Sequence, residues 1–81
     1  MWKIKKFESS SDAIGYYVNK HVELLQKRAE IFVEEIENAN GDVEKMLHAK
    51  NNYQADTLAI KNSLREIILD VNFHPEKYTK K

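Results

Sequence analysis

The sequence contains no cysteine, two glycines and one proline among its 81 residues. Without cysteine there is no disulfide, no thiolate nucleophile and no cysteine zinc site, and the absence suits a reducing compartment. Gly15 and Gly41 stand alone, so neither a P-loop nor a dinucleotide fingerprint can be built from them. An excess of charge of one sign is also missing. Thirteen lysines and arginines balance thirteen acids, which gives no general pull toward nucleic acid, anionic lipid or a basic partner. No apolar run approaches the roughly 18 residues that cross a bilayer, and the start, from Met1 to Phe7, lacks the apolar stretch of a signal peptide. These absences lead us to expect a soluble cytoplasmic protein with no membrane partner.

What the chain does have is helical periodicity. Val18, Val22, Leu25, Ala29, Phe32, Ile36 and Ala39 recur at steps of four and three, the spacing that lines one face of an α-helix. At about 1.5 Å per residue, the stretch from Val18 to Ala39 runs for roughly 33 Å. Ser9, Ser10, Ser11 and Asp12 offer side-chain oxygens to cap its start. Asn38-Ala39-Asn40-Gly41-Asp42 then ends it, with Asn40 or Gly41 taking the left-handed conformation and Asp42 capping the next helix.

That second helix runs from about Val43 to Val71. Its stripe is Val43, Met46, Tyr53, Ile60, Leu64, Ile67 and Val71, with Lys50 and Thr57 at polar seam positions. Asn51 and Asn52 are weak helix formers, so a kink or break is expected between 48 and 57. His74-Pro75 closes the helix, and residues 75–81 read as a polar, fraying tail. At the other end, residues 1–8 alternate as a short strand or extended arm, which could pack on the helices, pair in an oligomer or stay mobile.

The fold class expected is all-α: an antiparallel two-helix hairpin, about 10–39 and 42–72, with a short N-terminal arm and a single domain spanning 1–81. One core of this size rarely supplies more than about 3–5 kcal/mol. Second apolar lines, Tyr17, Leu24 and Ile31 on the first helix and Leu47, Leu58 and Leu69 on the second, lie off the main stripes. Leaving them in water forfeits a few kcal/mol at about 25 cal/mol per Å². A homodimer forming a four-helix bundle would cover them, and these six residues are the candidate contacts with a second copy or a partner.

Charge is distributed unevenly despite the zero sum. Glu30, Glu34, Glu35, Glu37, Asp42 and Glu44 make the turn end acidic, with Glu30, Glu34 and Glu37 as a candidate acidic contact. Lys3, Lys5, Lys6, Lys77, Lys80 and Lys81 make the other end basic, and Lys3, Lys5 and Lys6 are the candidate basic contact. Glu23 and Lys27 form an expected i,i+4 pair worth only about 0.2–0.5 kcal/mol.

Site chemistry is sparse. His21, His48 and His74 lack a second histidine at helical ligand spacing, so any metal site would have to be assembled across helices. The glutamates sit on a solvated face, which does not drive two pKa values apart as acid–base catalysis requires. Ser63 has no histidine at a helical neighbour position. We therefore expect no enzyme and no cofactor. The expected function is a small protein-interaction protein, for example an inhibitor, adaptor or regulator encoded by a phage or mobile element. The alternative is a dimeric nucleic-acid-binding accessory protein using its lysine-rich ends, since the arm from Trp2 to Phe7 interleaves aromatic and basic groups.

Overall fold

The computed structural model describes residues 5–80. Two long helices, α1 (Ser10–Asn38) and α2 (Val43–Phe73), fold back on each other as a hairpin, and a 3₁₀ turn over Pro75–Lys77 comes after them. Both helices end within one residue of the expected limits, because the punctuation acts as read. Ser9 Oγ accepts from the Asp12 amide and caps α1, while the Asp42 side chain accepts from the Lys45 amide and caps α2. Between them Asn40 and Gly41 take φ of 50° and 81°, the left-handed conformation that reverses the chain.

The seam between the helices keeps a period of eleven residues. On α1 the buried and half-buried positions include Ile14, Leu25 and Ile36, then Tyr17, Arg28 and Ala39, then His21 and Phe32. On α2 they include Met46, Thr57 and Ile68, then Ala49, Ile60 and Val71, then Tyr53 and Leu64. Eleven residues in three turns is about 3.67 per turn, close to the straight-helix value of 3.6. A line of contact with that period stays nearly straight along each helix.

That period corrects several expectations. Lys50 is exposed, and Ala49 takes the seam position in its place. Thr57 is half-buried, its hydroxyl donating to the Gln54 carbonyl at 3.1 Å, so it adds no unsatisfied group. Val22 leaves the seam for an exposed flank, and Val43 is exposed as well. The expected break between 48 and 57 does not occur: α2 continues through Asn51 and Asn52. Their propensity deficit, about 0.7 kcal/mol or less each, is outweighed by packing at Ala49 and Tyr53 on either side.

The expected fraying tail is, over its described residues 75–80, a 3₁₀ turn and a bridge packed on the helices. Tyr78 is only 7% exposed and joins Ala13 and Val71 in a small core, with Phe7, Ile14, Tyr17 and Ile67 packed around it. Phe7 and Thr79 form a parallel bridge, in which the Phe7 amide donates to the Tyr78 carbonyl (2.7 Å) and the Lys80 amide donates to the Phe7 carbonyl (2.8 Å). The arm thus pairs with the chain's own tail. Trp2, Lys3, Ile4 and Lys81 lie outside the described residues. Glu23 faces Lys20, one turn before it, at 4.0 Å, rather than the expected Lys27 one turn after it.

Two outcomes test this account. Tyr78→Ala should cost about 3 kcal/mol in urea denaturation, as for a buried aromatic; a loss below about 1 kcal/mol would make the latch incidental. Gly41→Ala should cost about 1 kcal/mol through backbone conformation alone, since nothing lies within 4 Å of an added Cβ, whereas Asn40→Gly should be neutral or stabilising.

Candidate interaction surfaces

The middle of the seam carries polar groups that fix the register. His21 is buried; its Nδ1 donates to the Tyr17 carbonyl (2.7 Å), leaving Nε2 as the acceptor facing the Ser63 hydroxyl at 3.4 Å. Arg28 bonds Asp56 through Nε (2.7 Å) and Glu35 through Nη1 (3.2 Å), and its guanidinium lies 5.7 Å from the Tyr53 ring centre. The Asp56 bond leads in strengthening the Arg28 charge, against the cost of desolvation, and Glu35 adds to it. Phe32 stacks on Tyr53 with ring centres 4.5 Å apart. These three levels, His21 to Ser63, Arg28 to Asp56 and Phe32 to Tyr53, set which residues of the two helices stand side by side.

The side chains of the expected second lines part company at this seam. Tyr17 belongs to the small core, where burial first and then the neighbouring Tyr16 phenol push its own phenol up. The other five, Leu24, Ile31, Leu47, Leu58 and Leu69, are exposed. They lie on two different faces of the two-helix layer. Leu24 and Ile31 line a groove with Arg28, Asp56, Ala59 and Ile60. Leu24 and Ile31 each precede a seam residue, Leu25 and Phe32, and Ala59 likewise precedes Ile60. Leu47, Leu58 and Leu69 each come just after one: Met46, Thr57 and Ile68. At about 100° per residue, preceding and succeeding positions fall on opposite flanks. In antiparallel helices, equal steps from the seam lead to the same broad face. The exposed Val22 and Val33, which come just after His21 and Phe32, therefore share a face with the three leucines. Sequence reading passes over both valines because Val22 fits the four-three stripe and Val33 fits neither line; the eleven-residue spacing is the signal that finds them.

The turn end is as acidic as the sequence implies, while at the open end the described lysines stand among as many acids: Glu8, Asp12, Glu66, Asp70 and Glu76. Glu30, Glu34 and Glu37 are exposed near the turn, beside an open cleft bordered by Glu35, Asn38, Glu44, Lys45 and His48. At the open end several lysines are already engaged. Lys6 Nζ donates to the Glu76 carbonyl (2.8 Å), Lys80 pairs with Glu8 (3.3 Å) and Lys77 with Asp70 (3.5 Å). Lys5 lies over the Tyr16 ring at 4.5 Å, with Lys20 at 5.5 Å. Among the described residues no group of three potential metal ligands converges, and no helix is long and apolar enough to cross a membrane.

Asp70 and Tyr78 share one hydrogen bond of 2.5 Å, the phenol donating. It leads the causes that hold Asp70 below its ordinary 3.8 and that push Tyr78 up to about 12. Asp70 therefore lends stability above its ordinary value that is lost as pH falls. Tyr78 lends stability that is complete below about 10 and is lost as pH rises toward about 12. Tyr78→Phe should flatten the stability profile at both the acid and the alkaline limb, read as urea midpoints across pH; unchanged limbs would place this bond outside the pH response. No protein-family model, curated protein or solved structure matches this chain.

Proposed function

We propose that this chain is a small non-enzymatic interaction protein, an inhibitor, adaptor or regulator, that works by burying helical faces against protein. It does so first as a homodimeric four-helix bundle and then against a target. The observation that supports this reading is the apolar surface left on both broad faces: Leu24 and Ile31 on one, Val22, Val33, Leu47, Leu58 and Leu69 on the other. A monomer leaves both faces wet, and a dimer stacked through one face leaves the second for another protein. The acidic turn, with Glu30, Glu34 and Glu37 exposed, offers a charged rim that would steer encounter with a basic target.

The competing reading, a nucleic-acid-binding accessory protein, draws on Lys5, Tyr16 and Lys20 at the open end, where cations flank an aromatic ring. It ranks second because Lys6, Lys77 and Lys80 are already held by the chain's own oxygens. Salt separates the two, since phosphate-driven binding is strongest at low salt.

Affinity capture from the native host with the wild-type chain and with Leu24→Glu/Ile31→Glu tests the first reading. A stoichiometric protein should be retained by the wild type and lost with the double variant, whose helicity is unchanged because both side chains are exposed. Recovery of no such protein, or retention of nucleic acid in low salt instead, overturns it.

A further inference from the structure

We infer that the face carrying Val22, Val33, Leu47, Leu58 and Leu69 takes a second copy of this chain, stacked antiparallel about a twofold axis that passes beside Leu58. This deepens the proposed function by naming the homodimer's face and sense, and it rests on that reading only for the existence of a dimer.

The arrangement comes from symmetry in the positions themselves. Leu47 and Leu69 stand eleven residues to either side of Leu58, so an antiparallel α2–α2 pairing sets Leu58 against its own copy, and Leu47 against Leu69 twice. Val43 and Phe73, the two most exposed large apolar residues, are likewise equidistant from Leu58, fifteen residues away on either side. The neighbouring helix repeats the pattern. Val22 and Val33 are symmetric about a point between Lys27 and Arg28, and Arg28 is level with Asp56, two residues from Leu58. One twofold axis therefore pairs the leucines and, within about 3 Å along the axis, the valines. Spacing by eleven keeps each line nearly straight, so contact need not be lost toward the ends.

Charge selects the antiparallel sense. Each hairpin is acidic at the turn, with Glu34, Glu37, Asp42 and Glu44, whereas the open end is mixed, its Lys5, Lys6, Lys20, Lys77 and Lys80 standing among Glu8, Asp12, Glu66, Asp70 and Glu76. Stacking two copies head to tail keeps the two acidic turns at opposite ends of the dimer, whereas a parallel stack would lay one acidic turn on the other. The opposite face is less suited to a second copy: its two exposed large apolar side chains both come from α1, and its middle is occupied by the Arg28–Asp56–Glu35 cluster. Area is sufficient. The molecule measures 56 × 25 × 17 Å, a broad face that can supply the about 800 Å² per partner typical of a stable interface. Lys50 and Lys61 border the leucine line and keep their ammonium groups in water along aliphatic stems.

The absence of cysteine makes the test clean. Light scattering on the full chain should give a dimer, and Leu58→Glu should weaken it on the order of thirtyfold or more while Leu24→Glu leaves it unchanged. Under mild oxidation Leu58→Cys should link to itself. Leu47→Cys should link to Leu69→Cys in a mixture but not to itself, because its own copy would lie about 33 Å away. A monomer at every concentration, a dimer sensitive to Leu24→Glu and not to Leu58→Glu, or efficient self-linking of Leu47→Cys would each overturn the inference. Circular dichroism on every variant checks that helicity is retained; Leu58 is 58% exposed in the single copy, so its replacement removes little packing there. A dimer of the wrong face or sense removes this inference alone, and the wider reading still stands or falls on capture of a target through Leu24 and Ile31.

Discussion

Two helices laid side by side have one line of contact, and each turns about two thirds of its circumference away from it. Every other property of this molecule derives from that limit. The line is filled with the buried Ala13, Ala39, Ala49 and Val71 and with Phe32 stacked on Tyr53. Polar groups are placed on it only where they meet a partner. His21 has the Tyr17 carbonyl and Ser63, and Arg28 has two carboxylates. A slip of one residue would leave those groups without their oxygens, which makes the polar centre a determinant of register rather than a large source of stability.

The helices and their ends are readable from sequence because capping chemistry is local. Ser9, Asp42 and the Asn40-Gly41 pair act on backbone within three residues of themselves. The phase of the seam is harder to read. Steps of four and three describe 3.5 residues per turn, and over three heptads this drifts from a straight helix by about 60°. That drift is why the stripe puts Lys50 where Ala49 belongs, and why it turns Val22 inward when His21 is the buried neighbour. A histidine and an arginine in a seam are invisible to any search for apolar periodicity. The tail misleads for a related reason: lysines around Tyr78 suggest solvent, yet one aromatic ring with a carboxylate acceptor on the adjacent helix is enough to dock it.

The candidate surfaces are legible in part. Excess apolar residues can be counted from the sequence, and Leu24, Ile31, Leu47, Leu58 and Leu69 are exposed. Their division between two faces cannot be seen until the seam is located, since an angular position has meaning only relative to the line of contact. The same holds for charge. Six acids without a base between residues 29 and 44 are visible as a run, but the lysines at the ends lose part of their availability to Glu8, Asp70 and the Glu76 carbonyl. Those neighbours are brought near only by the folding back of the chain.

The pairing of Phe7 with Thr79 and Lys80 joins residues more than seventy positions apart, the longest closure among the described residues, while the tight reversal at Asn40 and Gly41 brings its flanks together across a handful of residues. Loop-closure entropy favours assembly that starts at the reversal and zips toward the open end, with the strap between the two termini formed last. In the native protein the same order runs backward, so amide protection should decline from the middle of the hairpin to its mouth. An unfoldase pulling on this rod would part the Phe7–Thr79 strap first and reach the Asn40–Gly41 reversal last.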